Sequence, residues 1–284
     1  MRIGVGLPSG LPGCGGALLR GWASAADAGP FSSLAAIDRI AFDCHEPFTA
    51  LAGAAAVTDR ITLATTVAIA PVRSTALLAK QAATIDVISG GRLVLGLGIG
   101  ARLDDYEVAG VEHRRRGLRF SGQLAELRSI WEGGTVGPRP VQEGGPRILV
   151  GGTSSGLAYA RMARHADGFI HGGGPPRAFA AAATSALAAW TDAGRKGRPL
   201  LWGQAYFALG EIETGERYLA HYYAFTGGFV RNIVAGLLTT PQAIVQLCRA
   251  YEDAGCDEIV LLPSVADASQ LERLSDAVAV LASA

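Results

Sequence analysis

The sequence predicts a (β/α)8 (TIM) barrel. Short apolar, β-rich runs alternate with helical stretches eight times in 284 residues, close to the ~250 typical of that fold. The run Leu93 to Leu97 is apolar without alternation, as expected of a parallel strand covered on both faces. Gly98 and Gly100 follow at its carboxyl end, where such folds bind ligands and where glycine lets a ligand lie against bare backbone. An open doubly wound sheet is the runner-up, but it seldom needs so many βα units. No linker interrupts residues 1–284, so one domain is expected, with extra loops and helices at the carboxyl-terminal face.

The elements follow in order. Ile3 to Leu7 is the first strand, ended by Pro8 and a glycine-rich loop from Gly10 to Gly16. Leu18 to Ala28 carries Leu18, Leu19, Trp22, Ala25 and Ala26 on one helical face. Ser32 to Ile37 is the second strand, and Pro47 opens a helix that runs to about Thr58. Ile61 to Val67 is the third strand, Leu77 to Ile88 the third helix and Arg92 to Leu97 the fourth strand. A polar loop, Arg102 to Gly117, precedes a helix from Phe120 to Trp131.

The second half repeats the rhythm. Strands are expected at Pro146 to Val150, Ala166 to Ile170, Leu200 to Leu209 and Glu258 to Leu262. Helices are expected at Ser155 to Arg164, Pro176 to Ala193 and Asp267 onward. Between Glu213 and Tyr251 two helices flank the Gly227-Gly228 break, the second starting at Thr240-Pro241.

Composition narrows the function. Apolar residues make up 49% and charged ones 18%, so the core is large and disorder small. Basic and acidic residues number 25 each, and Arg114-Arg115-Arg116 is too short a cluster to imply nucleic acid. Cys14, Cys44, Cys248 and Cys256 are scattered without a Cys-x-x-Cys pair, which fits reduced thiols in a cytoplasm. Met1-Arg2-Ile3 enters a strand directly, so no signal peptide is expected, and no apolar run reaches the ~20 residues of a membrane span. No His/Cys/Asp/Glu cluster has metal-ligand spacing, so no metal site is expected.

Two stretches can hold an anion. Gly151-Gly152-Thr153-Ser154 pairs two glycines with hydroxyls at a helix start, which makes either an anion cradle or a bare N-cap turn. Gly96-x-Gly98-x-x-Ala101 fits a loose dinucleotide fingerprint, but a charged segment follows where that motif needs a helix. Among the histidines, His45 follows the second strand and His171 the sixth, both on the ligand side, so these are the acid–base candidates. Asp38 and Arg39 stand at the carboxyl end of the second strand, where a carboxylate can pair with the guanidinium and fix its fork.

In register, these pieces resemble the bacterial luciferase-like flavin and deazaflavin oxidoreductases over nearly the whole length. The resemblance is carried by Asp38-Arg39, Glu46-Pro47, Asp59 to Val67, Leu78 to Asp86, Ser89-Gly90-Gly91-Arg92 to Gly98, Asp105 to Gly110, Val150 to Thr153 and Ala166-Asp167-Gly168. It implies a barrel holding reduced FMN, or the deazaflavin coenzyme F420, at the carboxyl ends of the strands. The ring would rest on Thr66 and Val67, a non-prolyl cis bulge in the family. The phosphate end would lie by Gly98, Ile99 and Gly100 and by Gly151, Gly152, Thr153 and Ser154.

The departures are informative. Where many relatives have a histidine this chain has Arg39, which cannot shuttle protons but can stabilise developing negative charge. Ile99 stands where luciferase places an arginine against the flavin phosphate, so Arg102 becomes a candidate for that grip. Ala101 replaces a glutamate of a glucose-phosphate-oxidising relative, which argues against that substrate class. The resemblance implies a monooxygenase that takes reduced FMN from a reductase and acts with O2 on a small organic substrate. An F420-dependent hydride-transfer enzyme and a non-catalytic flavin-binding protein are the alternatives. A homodimer is also expected, without nucleic-acid or membrane partners.

Overall fold

The computed structural model describes residues 1–134, 136–152 and 156–282. Its strands are β1 (Arg2–Gly6), β2 (Ser33–Ala36), β3 (Thr62–Thr65), β4 (Ala68–Ile69), β5 (Leu93–Gly98), β6 (Arg147–Gly152), β7 (Gly168–His171), β8 (Leu200–Phe207) and β9 (Glu258–Pro263). All are parallel and follow the order β3-β2-β1-β9-β8-β7-β6-β5-β4; β3 also pairs with β5 and closes the barrel. The two-residue β4 extends that seam, pairing Ala68 with Leu97 and Ile69 with Gly98.

Alternation along each strand sorts the side chains into two cores. Ala35, Ala64, Val94, Leu149, Ile170, Trp202, Val260 and Leu262 fill the barrel. Val5, Leu34, Leu63, Leu95, Ile148, Phe169 and Leu261 face the helices. The outer ring includes α1 (Gly16–Ala28), α2 (Pro47–Ala55) and α3 (Thr75–Ile88). It continues with α4 (Leu103–Val108), α5 (Arg116–Gly133), α6 (Gly156–His165), α7 (Pro176–Asp192), α8 (Ile212–Tyr222), α9 (Val230–Ala235), α10 (Pro241–Asp253) and α11 (Ser269–Ala282).

Three expectations are corrected. The strand expected from Ile61 to Val67 is shorter, Thr62–Thr65, and the chain resumes as β4 beyond the Thr66–Val67 peptide, which is cis as the resemblance implied. The loop expected between Arg102 and Gly117 contains α4, whose first turn holds Asp104 and Asp105, residues favoured at a helix amino terminus. Instead of two helices, the stretch after β8 holds α8, a 3-10 turn (Ala224–Phe229), α9 and α10.

The Ser89-Gly90-Gly91-Arg92 motif lies at the amino-terminal end of β5, opposite the ligand end. Gly90 and Gly91 take φ of 64° and 87°, which only glycine adopts easily. Arg92 then donates to the carbonyls of Ser89 (2.8 Å), Ile61 (2.7 Å) and Thr58 (2.6 Å). The motif therefore staples β5 to the turn before β3. It is a structural device.

Candidate active site

At the carboxyl end of the barrel, Val67 lies across the ends of β5 and β6. A Cβ built on Gly98 would fall 2.7 Å from Val67 Cγ2, and one on Gly151 2.7 Å from Val67 Cγ1. At Gly96 a Cβ would meet the Thr65 carbonyl oxygen at 2.0 Å. Side-chain-free positions thus let Val67 settle on bare strand ends, leaving it half-buried as the floor of the mouth. Ile99 and Gly100, just beyond β5, are also half-buried, and Gly100 has φ of 63°. Gly152 differs: a Cβ there would point at Ala158 and Phe169, toward the helix layer. Thr153 and Ser154 lie outside the described residues.

Several buried polar atoms at this end lack a hydrogen-bond partner among the described residues, Thr66 Oγ1 and Gln204 Oε1 among them. Strand order puts β3 and β8 on opposite sides of the barrel. Since an unmet buried polar group costs about 1–3 kcal/mol, such atoms mark where a ligand is expected. Gln204 was not singled out from the sequence. The available signal was its place between Trp202 and Tyr206 on one face of an otherwise apolar strand.

The expected Asp38–Arg39 pair does not form. The two residues lie beyond the end of β2 and find separate partners. Asp38, its side chain fully buried, accepts from the Ile69 backbone N–H at 2.7 Å and pairs with Arg73. Arg73 Nη2 reaches Asp38 Oδ1 at 3.1 Å and Glu46 Oε1 at 3.0 Å. Burial disfavours the Arg73 charge, but the two carboxylates outweigh it and hold its pKa above the ordinary arginine value. Both Asp38 oxygens are thereby engaged, which ties Asp38 to the β3–β4 corner.

Arg39 turns toward α4. Its Nε donates to Asp105 Oδ2 at 2.7 Å and its Nη2 to Asp104 Oδ2 at 2.8 Å. Asp105 Oδ1 also accepts from the Ile40 and Ala41 backbone N–H groups, both at 2.8 Å. The remaining nitrogen, Arg39 Nη1, is buried without a partner among the described residues. Its guanidinium carbon lies 5.2 Å from the Phe42 ring centre and 5.6 Å from that of Tyr222.

Tyr222 belongs to a cover formed by α8 and the 3-10 turn. Tyr218 Oη donates to the Gly10 carbonyl at 3.1 Å, and the Tyr206 and Tyr223 hydroxyls share a hydrogen bond of 3.0 Å. Burial raises the pKa of Tyr206, Tyr218, Tyr222 and Tyr223, so these phenols stay neutral across the working range. The candidate phosphate grip, Arg102, packs on this cover. Its guanidinium carbon stacks 4.3 Å from the ring centres of both Tyr222 and Phe225.

The two candidate histidines have separate surroundings. His45 Nε2 is 2.6 Å from the Cys14 carbonyl oxygen, and the residue lines a groove of roughly 370 Å³ between α1 and α2. His171 shares the parity of Phe169, and its ring packs edge-on against Phe179 of α7 at 6.0 Å, whereas Ile170 fills the barrel. Burial lowers the His171 pKa, so it is neutral, and its Nδ1 has no partner among the described residues. Burial raises the Cys44 thiol to about 11, which makes it a poor nucleophile at neutral pH. Among the described residues no His/Cys/Asp/Glu group could hold a metal ion.

Comparison with known proteins gives a consistent picture. An uncharacterized Mycobacterium tuberculosis protein is 35% identical over 139 residues, 44% of this chain and 49% of that one. Pyrimidine monooxygenase RutA of Cronobacter sakazakii is 36% identical over 172 residues, 53% of this chain and 50% of the relative. The matched stretches thus span about half the length of these curated relatives. Monooxygenase RslO1 from Streptomyces bottropensis shares the fold with a TM-score of 0.77 at 19% identity, covering 100% of this chain and 98% of that one. An F420-dependent secondary alcohol dehydrogenase does so at 0.80 and 12% identity, covering 97% of each chain. The sequence profile of the luciferase-like monooxygenase family matches residues 16–236, and with a closed parallel barrel around a glycine-floored mouth, the chain belongs to that family of enzymes.

Proposed function

We propose that the mouth binds reduced FMN supplied by a separate reductase, and that the enzyme transfers one atom of O2 to a small organic substrate. One observation carries this reading. Val67 forms a floor over side-chain-free strand ends, between two unpartnered polar atoms, Thr66 Oγ1 and Gln204 Oε1, on opposite walls. That combination, a bare floor with polar atoms on facing walls, suits a flat cofactor with polar edges. Members of the family use FMN or coenzyme F420; a Baeyer–Villiger monooxygenase of the same fold, solved in complex with FMN, inclines the choice to FMN.

Thr66 and Val67 would hold the ring, and Gly98, Ile99, Gly100, Gly151 and Gly152 its phosphate-bearing chain. Thr153 and Ser154 join them on the strength of the sequence alone. When bound, the reduced flavin supplies the electrons and the oxygen-activating chemistry. The protein's own contribution is placement and electrostatics. Asp104 and Asp105 fix the plane of Arg39, whose free edge stabilises negative charge developing beside it. Asp38 and Arg73 hold the corner on which Val67 sits. The tyrosine cover excludes water from the mouth. His45 and His171 are the acid–base candidates by position, one held by the Cys14 carbonyl and the other packed on Phe179.

Anaerobic titration with reduced FMN and with reduced F420, followed by admission of O2, tests the reading. FMN should bind at least about tenfold more tightly, and O2 should be consumed faster than free reduced flavin consumes it when substrate is present. Tighter binding of F420, with hydride transfer and no O2 uptake, would replace the monooxygenase by the hydride-transfer enzyme.

A further inference from the structure

The proposed monooxygenase reading leaves its organic substrate open, and the layer around Arg39 narrows it. Two of the three guanidinium nitrogens are saturated by Asp105, Asp104 and the Ala41 carbonyl, while Nη1 has no acceptor among the described residues. The Arg39 side chain is only 4% exposed, so bulk water does not meet that need. A buried donor of this kind calls for an acceptor from outside the chain.

The surroundings state what else that acceptor must carry. Phe42 and Tyr222 meet edge-to-face with ring centres 5.1 Å apart, and both lie within stacking reach of the Arg39 guanidinium. Phe42 is half-buried and retains ring surface to be covered. Beyond Tyr222, Arg102 repeats the pattern against Phe225. Aromatic rings and guanidinium groups build this layer, so a flat ligand can continue it.

Charge sets the last condition. Asp104 and Asp105 bring two negative charges to Arg39, and Arg39 and Arg102 bring two positive ones. The layer is balanced before any ligand arrives. A phosphate-bearing substrate would add two negative charges beside two carboxylates, whereas an uncharged oxygen acceptor disturbs nothing.

We propose that this layer is the substrate seat, and that it takes a planar conjugated ring bearing an uncharged carbonyl oxygen, the oxygen accepting from Arg39 Nη1. It rests on the reading of the mouth as a catalytic site, and it adds the substrate class.

Four small probes separate the requirements: acetophenone, its isostere α-methylstyrene without the oxygen, cyclohexyl methyl ketone without the aromatic ring, and phenyl phosphate with the dianion. Calorimetric titration of the flavin-loaded protein should rank acetophenone first, at least about fivefold tighter than each of the others. In Arg39→Lys the advantage over α-methylstyrene should shrink, and in Tyr222→Leu the advantage over cyclohexyl methyl ketone should vanish. Should Arg39→Lys fail to fold, the Tyr222→Leu comparison and the wild-type ranking decide the matter. Equal affinity for acetophenone and α-methylstyrene would overturn the proposal, showing Nη1 to be met by water alone. So would phenyl phosphate binding most tightly. Titration of the same preparation with reduced FMN keeps the two readings apart: cofactor binding without ketone preference sinks only the substrate class, and no cofactor binding sinks the flavin reading itself.

Discussion

Arg39 and Asp38 are neighbours in sequence and strangers in space. Arg39 spends two nitrogens on α4 and keeps one without a partner among the described residues, whereas Asp38 spends both oxygens on Arg73 and the Ile69 backbone. Lysine could preserve the Arg39 charge but only one of its carboxylate contacts. Arg39→Lys is therefore expected to lower turnover at least about tenfold while affinity for oxidised FMN changes little, as steady-state rates and titration will show. Unchanged turnover would make Arg39 scaffolding. His171 makes a different prediction. Its folded-state pKa is depressed by burial, so its contribution to stability is full above about pH 6.5. It is lost as pH falls through that value toward the lowered pKa, since the unfolded chain takes up the proton first. Melting curves of wild type and His171→Leu should run parallel above pH 7 and converge or cross toward pH 5. A constant gap would mean that His171 titrates normally. Identity at these positions was legible in the sequence; direction was not, because Asp38 and Arg39 turn on backbone beyond the last residue of β2, where regular alternation no longer binds them.

Among the elements, the glycine-ended strands β5 and β6 define the floor. Gly151→Ala puts a methyl 2.7 and 3.0 Å from the two Val67 methyl groups. It should displace Val67 and weaken cofactor binding at least about tenfold with the fold retained. The adjacent Gly152→Ala crowds Ala158 at 3.1 Å instead, and so should lower the melting temperature more than the affinity. Equal affinities for the two variants would move the cofactor off Val67. Arg92→Ala removes three carbonyl contacts at the other end of β5 and is expected to cost about 2 kcal/mol of stability, read by urea unfolding, without altering cofactor affinity. The alternation of strands and helices was readable from hydrophobic period alone. The break between β3 and β4 was readable only through family resemblance, since Ile61 to Val67 has the composition of one unbroken strand. The short α4 hid within a polar segment because its stability comes from tertiary ties, chiefly Asp105 and Tyr106, which are buried and bond Ile40 and Ala41 in the loop after β2 and the Ile99 carbonyl.

On the scale of the molecule, the barrel divides its labour along its axis. The most distinctive motif, Ser89-Gly90-Gly91-Arg92, maintains the amino-terminal rim, while residues of unremarkable sequence, Gln204 and Tyr222 among them, furnish the mouth. A motif search therefore finds the fold more readily than the chemistry. The outer surface carries a prediction as well. Leu77, Val87 and Ile88 are 53%, 42% and 50% exposed along α3, a face that a second copy could cover. Light scattering is expected to give a dimer at micromolar concentration, and Ile88→Glu should shift it toward monomer; a wild-type monomer ends that proposal.

The four tryptophans are unequally placed. Trp22, Trp131 and Trp190 sit between strands and helices, and Trp202 alone stands inside the barrel, on the strand that carries Gln204 and Tyr206. Its indole nitrogen is buried without a partner among the described residues. The protein thus holds a fluorophore beneath its own mouth, with Tyr206 above it as a short-range donor of excitation energy. Emission from Trp202 should be quenched by an arriving flavin, while the other three indoles supply a background at greater remove. With Trp202→Phe as the blank, occupancy can be followed by light alone, before any substrate or turnover is known.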